Sequence, residues 1–168
     1  MLGTSVDEDN FYLICELYED SLEELLAMRV KLSFNLCQAI TAQLIVAIHF
    51  LQQNGVLHRD LCPQNIMLDS NKNVKLIDFG SARKLDSESK RQSLVGSLNY
   101  LSPEMIRGQP ASLGSDLWAL GCIVFQMATG RTAFPGLQSN AVQSQIESGV
   151  VDWPADIIID PSCINFVT

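Results

Sequence analysis

Two short polar motifs, His58-Arg59-Asp60 and Asp78-Phe79-Gly80, carry aspartates 18 residues apart, and the sequence between them reads as a hairpin. Val56 and Leu57 run directly into the first motif. Residues 66 to 68 and 74 to 77 are apolar and flank the polar run Asp69-Ser70-Asn71-Lys72-Asn73, which is the pattern of two antiparallel strands joined by a tight connection. Such a hairpin sets Asn65, at the start of one strand, near Asp78, at the end of the other. The chain must fold around a point where an amide and a carboxylate converge.

The remaining sequence supplies mostly helices. Residues 11 to 15, Phe-Tyr-Leu-Ile-Cys, predict a short strand, and residues 16 to 20 a polar connector. Ser21 with Glu24 has capping-box spacing, and Leu22, Leu25 and Leu26 form a short apolar face behind it. Ser33 can cap a longer helix from 34 to about 53, in which Leu36, Ile40, Leu44, Ala47, Ile48 and Leu51 recur at helical spacing before Asn54-Gly55 ends the run. Residues 81 to 101 are polar and aperiodic, the pattern of a mobile loop. Residues 116 to 127 are apolar nearly all round, as in a central core helix. Gly130, Pro135 and Gly136 mark a loop, residues 137 to 147 a further helix, and Asp160-Pro161 the start of another. The expected class is α+β, mainly helical with short β-hairpins.

With 168 residues and 47% hydrophobic content the chain suits one domain with a sizeable core. Gln43 and His49 interrupt the apolar stretch from 40 to 51, which fits a buried helix rather than a membrane span. Leu2 and Gly3 are followed by Asp7, Glu8 and Asp9 without the layout of a signal peptide, so cytoplasm or nucleus is the expected location. Cys15, Cys37, Cys62, Cys122 and Cys163 contain no Cys-x-x-Cys and read as reduced thiols rather than disulfides or a zinc site. The formal charge is −8, and eight of the 19 acidic residues precede the first basic one, Arg29, which argues against nucleic-acid binding. That acidic stretch reads as a solvated surface in preference to a patch selecting basic peptides, and it receives no site residues.

Moving a γ-phosphoryl group needs an acceptor hydroxyl held in line and metal ions over the phosphates, with the protein supplying position and electrostatics. Carboxylate and amide oxygens suit Mg²⁺. His58-Arg59-Asp60-Leu61-Cys62-Pro63-Gln64-Asn65, Asp78-Phe79-Gly80 and Ser102-Pro103-Glu104 resemble the catalytic loop, metal-binding motif and activation-segment end of eukaryotic protein kinases. Asp116-x-Trp118-x-x-Gly121 resembles that family's central C-lobe helix. The resemblance runs from the first strand to the helix at 137 to 147. It implies transfer of the γ-phosphoryl group of MgATP to serine or threonine hydroxyls of protein substrates, Asp60 being the catalytic base and Asn65 and Asp78 the Mg²⁺ ligands.

By position, the resemblance also makes Cys15 a gatekeeper, Glu16, Leu17 and Tyr18 the hinge that meets adenine, and Met67 part of the adenine floor. For Cys15 and Met67 taken alone, ordinary core packing is the competing reading. His58 is implied to pack and hydrogen-bond rather than act as a base, and Asp116 to anchor the catalytic-loop backbone. The segment from Asp78 through Ser89-Lys90, then Ser93-Leu94-Val95-Gly96-Ser97 and Tyr100-Leu101-Ser102-Pro103-Glu104, is most similar to 3-phosphoinositide-dependent protein kinases. That likeness implies Ser93 as a phosphosite with Arg59 and Arg83 placed to pair its phosphate, although Ser93 is one loop serine among several.

Two features depart from the family. Cys62 stands where these kinases usually carry a lysine that contacts the transferring phosphate, and a neutral thiol cannot replace a cation. No Gly-x-Gly-x-x-Gly segment occurs, and no lysine lies before Lys31. The expectation is a partial kinase domain over residues 1–168, with 1–20 the last N-lobe strand and hinge and 21–168 an incomplete C-lobe. In that reading an arginine partner for Glu104 lies outside the chain, and the isolated chain is inactive or weakly active. A non-catalytic kinase-like interaction module is the alternative.

Overall fold

The computed structural model describes residues 2–85, 96–136 and 138–167. It opens with an antiparallel ribbon of β1 (Gly3–Val6) and β2 (Phe11–Ile14), registered Gly3 to Ile14 and Val6 to Phe11. The Asp7 carboxylate closes the turn by accepting from the Asp9 and Asn10 amides at 2.9 and 2.8 Å. The second of these strands was expected from its aromatic and branched residues. The first, Gly-Thr-Ser-Val, carries too little β signal of its own and is fixed by its partner.

β3 (Asp20–Ser21) leads straight into α1 (Leu22–Arg29). The capping box is formed: Ser21 Oγ accepts from the Glu24 amide at 3.2 Å, and the Glu24 carboxylate accepts from the Ser21 amide at 2.7 Å. This arrangement satisfies amide donors that the first helical turn would otherwise leave open. Ser33, by contrast, occupies the cap position of α2 (Phe34–Gln53) without a capping side-chain hydrogen bond. Cys37, Ile40, Thr41, Leu44 and Ile48 form the buried stripe of that helix. By length and composition α2 could cross a bilayer, but here its stripe joins the core with α4 (Leu113–Thr129).

Between these helices run β4 (Val56–Leu57), β5 (Ile66–Leu68) and β6 (Val74–Leu76), with β7 (Arg83–Lys84) following. The expected hairpin is β5 against β6, registered Ile66 to Leu76, and β3 pairs on the other edge of β5. β4 pairs with β7, so the start of the 81–101 segment is ordered rather than a free loop, and residues 98–100 make a short turn at its end. The sequence hides this because a two-residue ladder is specified by its partner strand, not by local periodicity. After α3 (Pro103–Ile106) comes α4, then α5 (Ser139–Ser148) and α6 (Pro161–Val167).

Helix α4 is the shared wall of two apolar clusters. Leu120, Ile123, Val124 and Met127 pack with α1, α2 and the β5 strand, while Cys122 and Phe125 pack with Phe134, Val142 and Ile146. Trp118 stacks on Phe134 with centroids 5.5 Å apart. Gly130 ends the helix at φ +74°, and a Cβ there would lie 2.3 Å from the Val30 carbonyl oxygen. Only glycine permits that approach of the two helix ends. The expected α+β class, mainly helical with short hairpins, is borne out.

The five cysteines are free thiols, of which only Cys15 is exposed. Burial pushes the Cys37 thiol up to about 11 and the Cys122 thiol up to about 12, from an ordinary value of 9.0. Above that ordinary value the unfolded chain sheds these protons before the folded chain does, so ionisation favours unfolding. The melting temperature should fall as pH rises from 9 toward 11, and Cys122→Ala should flatten that slope in a calorimetric pH series.

Candidate catalytic site

Helix α4 starts at Ser112, whose hydroxyl accepts from the Gly114 amide at 3.2 Å while Ser115 Oγ accepts from the Ser112 amide at 2.9 Å. This start places Asp116 in the first turn, facing inward at 1% exposure. Its two oxygens divide between two backbone donors. Oδ2 accepts from the His58 amide at 2.9 Å, and Oδ1 accepts from the Arg59 amide at 3.0 Å. Arg59 sits at φ +67°, an uncommon conformation for a residue with a side chain, and the paired bonds hold it there.

The two motifs then meet through His58 and Asn65. His58 is fully buried, its Nε2 lies 3.1 Å from the Ile77 carbonyl oxygen, and its ring is 4.9 Å from that of Phe79. Asn65 ends the tight turn Pro63–Asn65, its Nδ2 donates to the Asp60 carbonyl at 2.9 Å, and its own carbonyl accepts from the Ile77 amide at 3.0 Å. Because Nδ2 is committed to the loop, the amide oxygen is the atom left to face a ligand. Asp78 follows Ile77 at φ +57° and accepts from the Gly80 amide at 3.1 Å. An amide oxygen and a carboxylate are hard donors that fit Mg²⁺.

Asp60 is held from the other side. Its Oδ1 accepts from the Ser97 amide at 2.9 Å and from Ser97 Oγ at 3.2 Å. Gly96 makes this contact possible: at φ +108°, a Cβ would lie 2.8 Å from the Arg59 carbonyl oxygen. The sequence reading did not place Ser97 in the site. Its signal was the glycine before it, a residue type used where backbones approach closely.

Cys62 lies one residue before the Pro63 turn and is 1% exposed, and burial raises its thiol above the ordinary value. Arg59 Nε donates to the Ser81 carbonyl at 2.6 Å, and burial, with the neighbouring Arg83 charge behind it, lowers its pKa. The structure therefore brings Arg59 and Arg83 within electrostatic reach of each other; Ser93 lies outside the described residues. For Glu104, burial alone would raise the pKa, but the hydrogen bond from Ser115 Oγ at 2.6 Å leads the contributions that hold it below the usual range. Serines of the α4 cap therefore serve this carboxylate.

The hinge-like residues stand apart from this network. Cys15, Glu16 and Leu17 are exposed, and Tyr18 donates its hydroxyl to Glu16 at 2.5 Å. Met67 is half-buried on β5, opposite in direction to the buried Ile66 and Leu68, and pairs with Ser21 of β3 directly after the 15–19 connector.

The Protein kinase domain model matches residues 1–168. The chain belongs to the protein kinase family. It is 32% identical over 94% of its length to Serine/threonine-protein kinase PDK1 of Cryptococcus neoformans, covering 13% of that protein. It is 42% identical over 68% of its length to human 3-phosphoinositide-dependent protein kinase 1, covering 21% of it, and 34% identical over 94% to mouse Serine/threonine-protein kinase 36, covering 12%. The expected resemblance to this superfamily and to its 3-phosphoinositide-dependent members is borne out, while the chain spans about a fifth or less of these relatives.

Removing the Asp116 carboxylate leaves two backbone donors without a partner. Asp116→Ala should lower unfolding free energy by roughly 2 to 6 kcal/mol, at about 1 to 3 per unsatisfied group. Urea denaturation followed by the fluorescence of Trp118 and Trp153 measures this, and Asp116→Asn, which keeps one acceptor, should lose less.

Proposed function

We propose that this chain carries the catalytic-loop half of a serine/threonine protein kinase that transfers the γ-phosphoryl group of MgATP to protein hydroxyls. The observation that carries the reading is Asp60, whose Oδ1 takes both Ser97 donors and whose carbonyl takes Asn65 Nδ2. Oδ2 is then the oxygen available to accept a hydrogen bond from an incoming hydroxyl and to orient it, with the backbone held rigid by Asp116. Asn65 and Asp78 would hold Mg²⁺, which when bound neutralises phosphate charge. In this reading residues 1–20 are the last N-lobe strand and hinge, with Cys15 to Tyr18 and Met67 toward adenine, and residues 21–168 belong to the C-lobe. Ser93, phosphorylated, would relieve the crowding between Arg59 and Arg83.

Cys62 favours a second reading, a kinase-like interaction module with little transfer activity. Its thiol is buried and neutral where a lysine would bring a charge to the phosphate. Calorimetric titration of MgATP into the chain separates the two. Binding that disappears in Asp78→Ala supports a nucleotide site, and a folded chain that binds nothing supports the module.

Where a phosphotransfer rate is measurable, Asp60→Asn should reduce it by at least about a hundredfold. Cys62→Lys should raise turnover in a ³²P-transfer assay with the glycine-rich loop supplied in the same polypeptide. An unchanged rate shows that position to be unimportant.

A further inference from the structure

Helices α2, α4 and α6 enclose a groove of about 240 Å³ that carries two thiols, Cys37 from α2 and Cys163 from α6. Phe34, Ile45, Val124 and Phe166 form its apolar walls, and no charged side chain lines it. Cys37 is 2% exposed and Cys163 8%, and the groove is the opening through which a small molecule reaches them.

The packing of α6 brings the two sulfurs to one place. The Asp160 carboxylate accepts from the Ser162 amide at 2.8 Å and the Asp160 carbonyl from the Cys163 amide at 2.9 Å, which sets Cys163 in the first turn. Val167, four residues on and therefore on the same side of the helix, packs against the apolar cluster that contains Cys37. Burial raises the Cys37 pKa, and the charge that Cys163 would carry on ionising adds to the effect, so the two groups feel each other. Because α6 has only seven residues, a small tilt of it adjusts the sulfur separation to the narrow geometry of a disulfide. An uncharged lining disfavours ionic oxidants and admits a neutral one of about the size of water.

We propose that Cys37 and Cys163 form a modification site, an oxidation-sensitive pair that hydrogen peroxide converts into a disulfide joining α2 to α6. Cys163, the less buried of the two, reacts first. Its thiolate sulfur attacks one peroxide oxygen, the O–O bond breaks, and the departing hydroxide takes up the proton that the thiol shed, leaving a sulfenic acid and one water. The Cys37 sulfur then attacks the Cys163 sulfur, the S–O bond breaks, and the hydroxyl leaves with the Cys37 proton as a second water. The two sulfurs give up two electrons in all, and peroxide is the species reduced. Burial raises the pKa of both thiols, so the pair ignores traces of oxidant and responds to sustained peroxide. The bond closes a loop that contains Asp60, Asn65, Asp78 and Asp116, yet the chemistry is independent of the kinase reading.

The test uses the whole chain with Cys15→Ser, which removes the exposed thiol that would cross-link separate molecules. After incubation with hydrogen peroxide at about pH 8.5, where thiolates are more abundant, the remaining thiols are alkylated under denaturing conditions and the protein is digested without reduction. Mass spectrometry should find the Cys37 and Cys163 peptides joined, two hydrogens lighter than the sum of the parts, and dithiothreitol should separate them. The oxidised chain should melt roughly 5 to 15 °C higher than the reduced one, as expected when a long loop is closed. Cys163→Ser should remove both the link and the shift, and peptide mapping of the parent chain decides the pairing even where that variant does not fold. Cys37 and Cys163 both recovered alkylated after peroxide, a link to Cys62 or Cys122 in its place, Cys163 oxidised to a sulfinic acid with Cys37 left free, or a linked chain that melts no higher than the reduced one overturns the proposal.

Discussion

The carboxylate of Asp116 is the constraint on which the site depends. A buried charge is tolerable only when hydrogen bonds replace the water it has lost. Here the replacement comes from the two successive amides of His58 and Arg59, at 2.9 and 3.0 Å. Those donors can point at one carboxylate only if the backbone turns sharply, which it does at Arg59, φ +67°. The core helix α4 thereby sets the path of the loop that presents Asp60. Packing of Leu120, Ile123 and Met127 against α1 and α2 fixes the helix itself, so the geometry of the site inherits the rigidity of the core.

A second layer of bonds joins the loop to the segments before and after it. Ile77 touches both sides of the site, its carbonyl oxygen accepting at His58 Nε2 and its amide donating to the Asn65 carbonyl. Ser97 grips Asp60 from the far side because Gly96 lets the chain come close to the Arg59 carbonyl. A displacement of Ser97 would therefore be felt at the Asp60 carboxylate. The neutral thiol at Cys62 lies in the same small region, with Ser97 beside it.

Much of this was legible in the residues before any coordinates. The Ser21 and Glu24 capping box, the stripe on α2, the β5–β6 hairpin and the all-round apolar α4 follow from local chemistry and periodicity, and each is present. The ribbon strand β1 and the β4–β7 pairing were not legible, because two to four residues of weak propensity take their structure from a partner. Ser33 illustrates the opposite failure: the residue type and position suited a cap, yet the side chain makes no capping bond. Ser97 and Ser115 were passed over for one shared reason. A hydroxyl outside any periodic pattern looks solvated until a distant segment is brought against it.

The sequence by itself determined the chemical inventory and its order along the chain. It supplied Asp60, Asn65 and Asp78 at spacings that a hairpin can close, inside a mainly helical α+β chain. Only tertiary structure decided which atoms those groups retain for a ligand. The Asp60 carboxylate has one oxygen committed because Ser97, 37 residues away, folds onto it, and Asn65 has its nitrogen committed to the Asp60 carbonyl. Side-chain identity is a local property, but hydrogen-bond commitment and residual charge depend on which distant groups share the same few ångströms.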